Sequence, residues 1–192
     1  MVTIVDLGCG NMGSVAAAFA RLGAEPVVTS DRAALAAAER LVLPGVGSAG
    51  HAMARIDALG LRDTLQRRDR PMLGICLGMQ LLFEGSDEDD TICLGLLPGR
   101  ARRLEPAPGR PVPHMGWSRL ELRASDAGLS TGDYAYFAHS FACDDGPDTL
   151  ATAEHDGPFA AAVRRGNLLG AQFHPERSSA AGGAFLAAFL SC

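Results

Sequence analysis

The segment Pro71-Met72-Leu73-Gly74-Ile75-Cys76-Leu77-Gly78-Met79-Gln80-Leu81-Leu82 leaves a chain few ways to fold. A short apolar run after a proline reads as a buried strand, and the residues beyond it have helical spacing that runs to Glu84 and Gly85. Between the two, Gly74-Ile75-Cys76-Leu77-Gly78 has the G-x-Nu-x-G pattern of a nucleophile elbow, with cysteine as the nucleophile. Glycine is needed two residues before and two after, because the strand and helix backbones close on each other there and a Cβ would collide. The turn would set the Cys76 sulfur at the start of a helix, where free N–H groups and the positive end of the dipole favour a thiolate and an oxyanion. Gln80, one turn on, is expected to reach back over the thiol, since helical side chains lean toward the N-terminus. A buried structural cysteine at a strand end, packed as a small hydrophobe, would read the same way locally.

The rest of the first half alternates strand and helix. Thr3 to Leu7, Pro26 to Thr29 and Leu41 to Leu43 read as strands; Ser14 to Leu22, Ala33 to Ala38 and Ser48 to Leu59 read as helices. Such alternation implies a parallel sheet covered by helices on both faces, with ligands at the carboxyl ends of the strands. After Gly85 the texture changes. Ser86-Asp87-Glu88-Asp89-Asp90 reads as a solvated acidic connection, because its carboxylate spacing matches no cation loop. Short extended segments follow over Ala101 to Leu104, Trp117 to Leu122, Ala135 to Cys143, Leu150 to Glu154, Ala160 to Arg164 and Leu168 to Phe173, and a helix over Ala180 to Leu190 closes the chain. The expected fold is therefore α/β, a mostly parallel central sheet flanked by helices, with antiparallel strands added in the second half.

Composition excludes several classes of function. The 192 residues are 47% hydrophobic with a mean hydropathy of +0.10, enough for a single domain over residues 1–192 with a buried core. The net charge of −5 and the absence of lysine argue against a nucleic-acid footprint. No apolar run approaches membrane-spanning length, and Met1-Val2-Thr3-Ile4-Val5-Asp6 leads straight into a strand, so a soluble cytoplasmic protein is expected. Cys9, Cys76, Cys93, Cys143 and Cys192 are odd in number and show no Cys-x-x-Cys spacing, which indicates neither a disulfide framework nor a metal site. No cofactor is called for.

Three further stretches bear on chemistry. Gly8-Cys9-Gly10-Asn11-Met12-Gly13 follows a strand, opens a helix and has Asp31 near the end of the next strand. It thereby satisfies a dinucleotide fingerprint through Gly8, Gly10 and Gly13, or else is a turn whose glycines let the backbone bend. Leu43-Pro44-Gly45-Val46-Gly47 can turn backbone N–H groups of Val46 and Gly47 into the crevice the elbow faces, beside the N–H of Leu77, or it is an ordinary strand-to-helix loop. A cysteine nucleophile also needs a base. His174 stands in Gln172-Phe173-His174-Pro175-Glu176, where Pro175 favours an extended His174 and Glu176, two residues on, can face the same way and orient the imidazole. His51 and His155 read as surface residues, whereas His114 and His139 lie in the motif-like stretches Pro113 to Trp117 and Tyr136 to Phe141.

Taken together, Gly74 to Gln80 and Gln172 to Glu176 resemble the motifs of the class I (triad) glutamine amidotransferases. With Asp6 to Val15, Leu43 to Gly47, Pro113 to Trp117 and Tyr136 to Phe141, the chain is similar to the family of glutaminase subunits of imidazole glycerol phosphate synthase from its first strand to its last helix. Leu7, Ser118 and Arg177 stand where that family usually has an aromatic residue, an asparagine and a lysine.

The resemblance implies a flavodoxin-like fold in which Cys76, His174 and Glu176 form the triad, with Val46, Gly47 and Leu77 as oxyanion donors. Gln80 and the backbone of His139, Ser140 and Phe141 would hold glutamine. It further implies that Asn11, His114, Met115 and Trp117 face a separate (β/α)8 cyclase subunit in a heterodimer, to which ammonia passes for histidine biosynthesis. A chain of this length carries no synthase domain of its own. A glutaminase serving another synthase, such as the one making pyridoxal phosphate, would keep the triad and lose the logic of Pro113 to Trp117. A dinucleotide-dependent oxidoreductase would rest on Gly8, Gly10 and Gly13, and a silent binding subunit would leave Cys76 unreactive.

Overall fold

A computed structural model of the chain describes residues 1–8, 10–124 and 127–192. The first half runs β1 (Val2–Val5), α1 (Met12–Arg21), β2 (Pro26–Thr29), α2 (Arg32–Ala37), β3 (Leu41–Gly45), α3 (Ala49–Ala58), α4 (Arg62–Gln66), β4 (Met72–Cys76) and α5 (Leu77–Gln80). The second half adds β5 (Phe83–Ser86), β6 (Thr91–Ile92), β7 (Leu97–Arg103), β8 (His114–Arg119), β9 (Glu121–Leu122), β10 (Tyr134–His139), β11 (Phe141–Cys143), β12 (Thr149–Glu154), β13 (Pro158–Arg165), β14 (Leu168–Ala171) and α6 (Ser179–Leu190).

Helix starts follow side-chain caps. Asn11, Asp31 and Ser48 each accept a hydrogen bond from the backbone N–H three residues on, which satisfies a donor the first turn would otherwise leave unpaired. The expected architecture is borne out. Eight strands form one sheet in the order β2-β1-β3-β4-β14-β13-β12-β9, with β2 through β14 parallel and β13, β12 and β9 antiparallel. Alternate residues of its strands enter two cores: Ile4, Val42, Leu73 and Ile75 join α1 and α6 through Phe19, Phe185 and Phe189. Leu41, Leu43 and Met72 join α2, α3 and α4 through Leu35, Met53, Ile56 and Leu65. A four-stranded sheet, β11-β7-β5-β6, and the β8–β10 hairpin complete the fold.

The structure departs from the sequence reading at several points. The helix after Cys76 stops at Gln80, one turn long, instead of running to Gly85. Leu81 and Leu82 are fully buried, and their carbonyls accept the N–H groups of Leu94, Leu96 and Leu97. Phe83 to Ser86 pair with β7 and β6, so contacts with residues 91–101 outweigh the local helical period. The stretch Ala135 to Cys143 is two strands broken at Ser140, one in each smaller sheet. α4 was not anticipated, being five residues long with Leu65 alone buried. The acidic stretch is more than a solvated connection: Asp87 and Asp90 bind Arg100, and the Glu88 carboxylate accepts from the N–H of Ala49 at the start of α3.

Candidate active site

The register places Gly45 of β3 directly opposite Cys76 of β4, and β14, on the other side of β4, leads through Gln172 and Phe173 to His174. Cys76 itself has φ 53° and ψ −113°, a conformation side chains other than glycine's rarely adopt, and it is held there by its surroundings. A Cβ on Gly74 would sit 2.6 Å from the carbonyl oxygen of Gly78; one on Gly78 would sit 1.8 Å from that of Leu43. One on Gly45 would lie 2.9 Å from the Gly78 nitrogen. Three glycines on three segments thus permit the backbone contacts that thrust Cys76 into its strained turn.

The turn faces a cavity of about 370 Å³ at the carboxyl ends of the strands, the size of a small-molecule site. Val46, Gly47, Cys76, Leu77, Gln80, His139, Ser140, Phe141, His174 and Glu176 all line it. Asn11, Glu88, Pro113, Ala138 and Arg177 complete the wall. Glu88 was missed because nothing local distinguishes it from Asp87 or Asp89. Arg177, noticed only as a departure from a family pattern, lies with its guanidinium 4.4 Å from the Tyr136 ring centroid.

Within the cavity the His174 Nδ1 is 2.9 Å from Oε1 of Glu176, whose side chain is 4% exposed and whose Oε2 has no hydrogen-bond partner among the described residues. Burial opposes a charge on His174, but its interactions with Cys76 and Glu176 outweigh that, and the imidazole is raised to about 10. The group facing Cys76 is therefore an imidazolium, which stabilises a thiolate. Burial pushes the Cys93 thiol up to about 11 and raises that of Cys143 well above the ordinary thiol value. Cys76, Cys93, Cys143 and Cys192 are free thiols, and Cys9 lies outside the described residues. Because α5 has only one turn, what it offers an oxyanion is local N–H groups, not the long helix dipole that the sequence suggested.

Gln80 does not lie over the thiol as expected. Its Nε2 donates to the Phe141 carbonyl at 2.6 Å and to Oε1 of Gln172 at 2.9 Å, and it is Gln172 whose Nε2 approaches the Cys76 sulfur, at 3.8 Å. The signal for Gln172 in the sequence is its place two residues before His174 on an extended segment, which sets both side chains on one face.

Among the residues expected at a partner surface, Met115 and Trp117 are 64% and 50% exposed, and Asn11 is exposed at the cavity mouth. His114 is not at the surface. It is 8% exposed, with Nδ1 3.0 Å from Nε2 of His139 and its ring stacked on Phe137. His155, expected at the surface, is also buried, its ring centroid 4.8 Å from that of His114, because the β12–β13 hairpin carries its polar turn beneath β8. His51 is exposed.

The dinucleotide reading fares poorly on geometry. A Cβ on Gly13 would meet nothing nearer than 3.9 Å, so this is not a close helix-to-strand packing point, and the Asp31 carboxylate caps α2. Among the described residues no group of three or more His, Cys, Asp or Glu side chains is placed to hold a metal ion, and no helix is long and apolar enough to cross a membrane.

A cysteine in a strained strand-to-helix turn, an imidazolium beside it and a glycine-rich loop opposite define an enzyme that attacks a carbonyl carbon. The family model described as "Glutamine amidotransferase class-I" matches residues 3–191, and the chain belongs to that family. It is 53% identical over 192 residues to "Imidazole glycerol phosphate synthase subunit HisH" of Xylella fastidiosa, covering 98% of this chain and 96% of the relative. The protein of the same description from Xanthomonas campestris is 50% identical with the same coverage. Among solved structures, one described as "Crystal structure of glutamine amidotransferase" superposes with a TM-score of 0.78 at 24% identity, covering 99% of this chain and 97% of that one. The glutaminase domain of Trypanosoma brucei CTPS with bound acivicin gives 0.69 at 17% identity, covering 99% and 93%. These two likenesses speak to the fold.

Proposed function

We propose that this chain hydrolyses glutamine to glutamate and ammonia and delivers the ammonia to the cyclase subunit of imidazole glycerol phosphate synthase, for histidine biosynthesis. The observation that carries the chemistry is the strained Cys76 turn facing an imidazolium at His174 in one cavity with Val46, Gly47 and Leu77. Full-length relatives bearing the synthase-subunit name carry the biological setting.

In this reading the Cys76 thiolate attacks the carboxamide carbon and the carbonyl π electrons move onto oxygen. Backbone N–H groups of the Val46-Gly47 loop and of Leu77 hold that oxyanion. As the tetrahedral intermediate collapses, the C–N bond breaks and His174 gives its proton to the departing nitrogen, which leaves as ammonia. The neutral imidazole then takes a proton from water, the hydroxide adds to the thioester, and expulsion of the thiolate frees glutamate. Glu176 keeps the imidazole oriented throughout. Gln80 and the backbone of His139, Ser140 and Phe141 form the wall for the amino-acid end of the substrate, and Glu88 offers a carboxylate to its ammonium group.

The exposed Met115 and Trp117, with Asn11 at the cavity mouth, fit a docked (β/α)8 cyclase in a cytoplasmic heterodimer, ammonia crossing the interface without release. Residues 1–192 act as one domain in this scheme. Glycines flanking Val46 allow the oxyanion donors to be aimed poorly in the free chain and aligned on docking. Cys76→Ser should abolish ammonia release from glutamine while the complex still turns over with free ammonia. Retained glutaminase activity in that variant would overturn the mechanism.

A further inference from the structure

From β8 to the cavity wall runs a chain of part-buried and buried side-chain hydrogen bonds that the mechanism does not use. Ser118 Oγ is 2.8 Å from His114 Nε2, His114 Nδ1 is 3.0 Å from His139 Nε2, and His139 Nδ1 is 2.9 Å from the carbonyl oxygen of Phe141. Its direction can be read from one end. A carbonyl only accepts, so the proton on His139 is at Nδ1. Burial pushes His139 down to about 3 and His114 down to about 4, so at neutral pH each ring carries a single proton. The bare Nε2 of His139 must then accept from His114 Nδ1, which leaves His114 Nε2 to accept from the Ser118 hydroxyl. Each donor is forced by the one before it, and both rings are locked as Nδ1–H tautomers.

The end of the chain is a working surface. The bond from His139 to Phe141 spans the bend at Ser140, where the backbone leaves one small sheet for the other and lines the cavity. The same carbonyl accepts from Gln80 at 2.6 Å. A single oxygen therefore anchors the cavity's backbone wall and the amide beside it.

We propose that Ser118, His114 and His139 are positioning residues for the glutaminase reaction, a one-way relay that holds the 138–141 backbone in the shape that accepts glutamine. This rests on the proposed function. Ser118 follows the exposed Trp117 along β8 and does not line the cavity, so a residue outside the site sets the affinity for substrate.

The test is a double-mutant cycle on the full chain co-purified with its partner subunit, with glutamine as substrate. Ser118→Ala removes the first donor; His114→Phe keeps the ring stack on Phe137 and removes both nitrogens. Loss of one neutral hydrogen bond predicts a fall in kcat/KM of about 5-fold for the first, and loss of two predicts about 10-fold or more for the second. Because Gln80 and Gln172 keep their own bonds, both losses fall on KM with kcat little changed. Ser118 acts only through His114, so the double variant should be no worse than His114→Phe, and Ser118→Thr should restore wild-type KM. Multiplying losses, or losses in kcat alone, would overturn the relay.

Two-bond 1H–15N spectra of the labelled chain supply a readout independent of turnover: both rings should be neutral Nδ1–H tautomers at neutral pH. An Nε2–H tautomer at either ring overturns the relay. Absence of glutamine hydrolysis by the wild-type complex would instead overturn the function on which it rests.

Discussion

At Cys76 a single residue is asked to hold an unfavourable φ, and at His174 a half-buried ring is asked to stay charged. The two demands answer each other, since Cys76, set by the strained turn, and Glu176 together lift the imidazole to about 10. The activity profile should show it. His174 must be protonated to release ammonia, so kcat/KM for glutamine should hold across neutral pH and fall only near pH 10. Replacing Glu176 with Gln removes one of the charges that hold the proton; it should move that alkaline limb down by about one pH unit or more and lower kcat/KM on the order of 10-fold or more. A limb in the ordinary histidine range for the wild type would contradict the ion pair. The pairing of cysteine, histidine and glutamate in one cavity was legible from two short motifs. The positions of Gln172 beside Cys76 and of Glu88 in the cavity lining were not, because each depends on a neighbour far away along the chain.

Helices and strands around the site owe their positions to contacts between backbones. The elbow is the clearest case, with β3, β4 and α5 meeting at Gly45, Gly74 and Gly78. Gly78→Ala would drive a Cβ to 1.8 Å from the Leu43 carbonyl, and since neither backbone can yield cheaply, the variant should lose about 3 kcal/mol or more of stability together with its glutaminase activity. Gly183→Ala is the contrast. Gly183 lies in α6 with open space around its would-be Cβ, so alanine there should stabilise by about 0.5–1 kcal/mol in denaturant unfolding. Equal effects of the two would show that the elbow is not close-packed. The elbow glycines were readable from their spacing. The early end of α5 was not, because Leu81, Leu82 and Phe83 are as apolar as a helix would need, and the bonds that draw them into a strand come from residues 94–101.

On the scale of the whole molecule, the histidines give stability a preferred pH. The folded-state values of His114 and His139 lie below the ordinary 6.5, at about 4 and about 3, so their contribution is present above 6.5 and is lost as pH falls toward those values. His174 has the opposite sign: raised to about 10, it stabilises fully below 6.5 and ceases to do so as pH rises through 10. Unfolding near pH 5 should take up about two protons through His114 and His139, costing on the order of 2 kcal/mol each relative to neutral pH. Urea unfolding across this range checks it, and a stability independent of pH there would contradict the buried, uncharged rings.

Short-range sterics and periodicity fix part of this protein before any distant contact forms. The alternation of strand and helix requires a parallel sheet, paired glycines around Cys76 require an elbow, and Pro175 sets His174 and Glu176 on one extended segment. Tertiary structure alone decided which side chains lose water. His155 reads as exposed yet is buried against His114, Glu88 reads as one acid among several yet enters the cavity, and Ser140 breaks what reads as one strand. The physical reason is common to all of them: burial and hydrogen-bond partners are set by segments tens of residues apart, and no local pattern carries information about which distant surface a residue will meet.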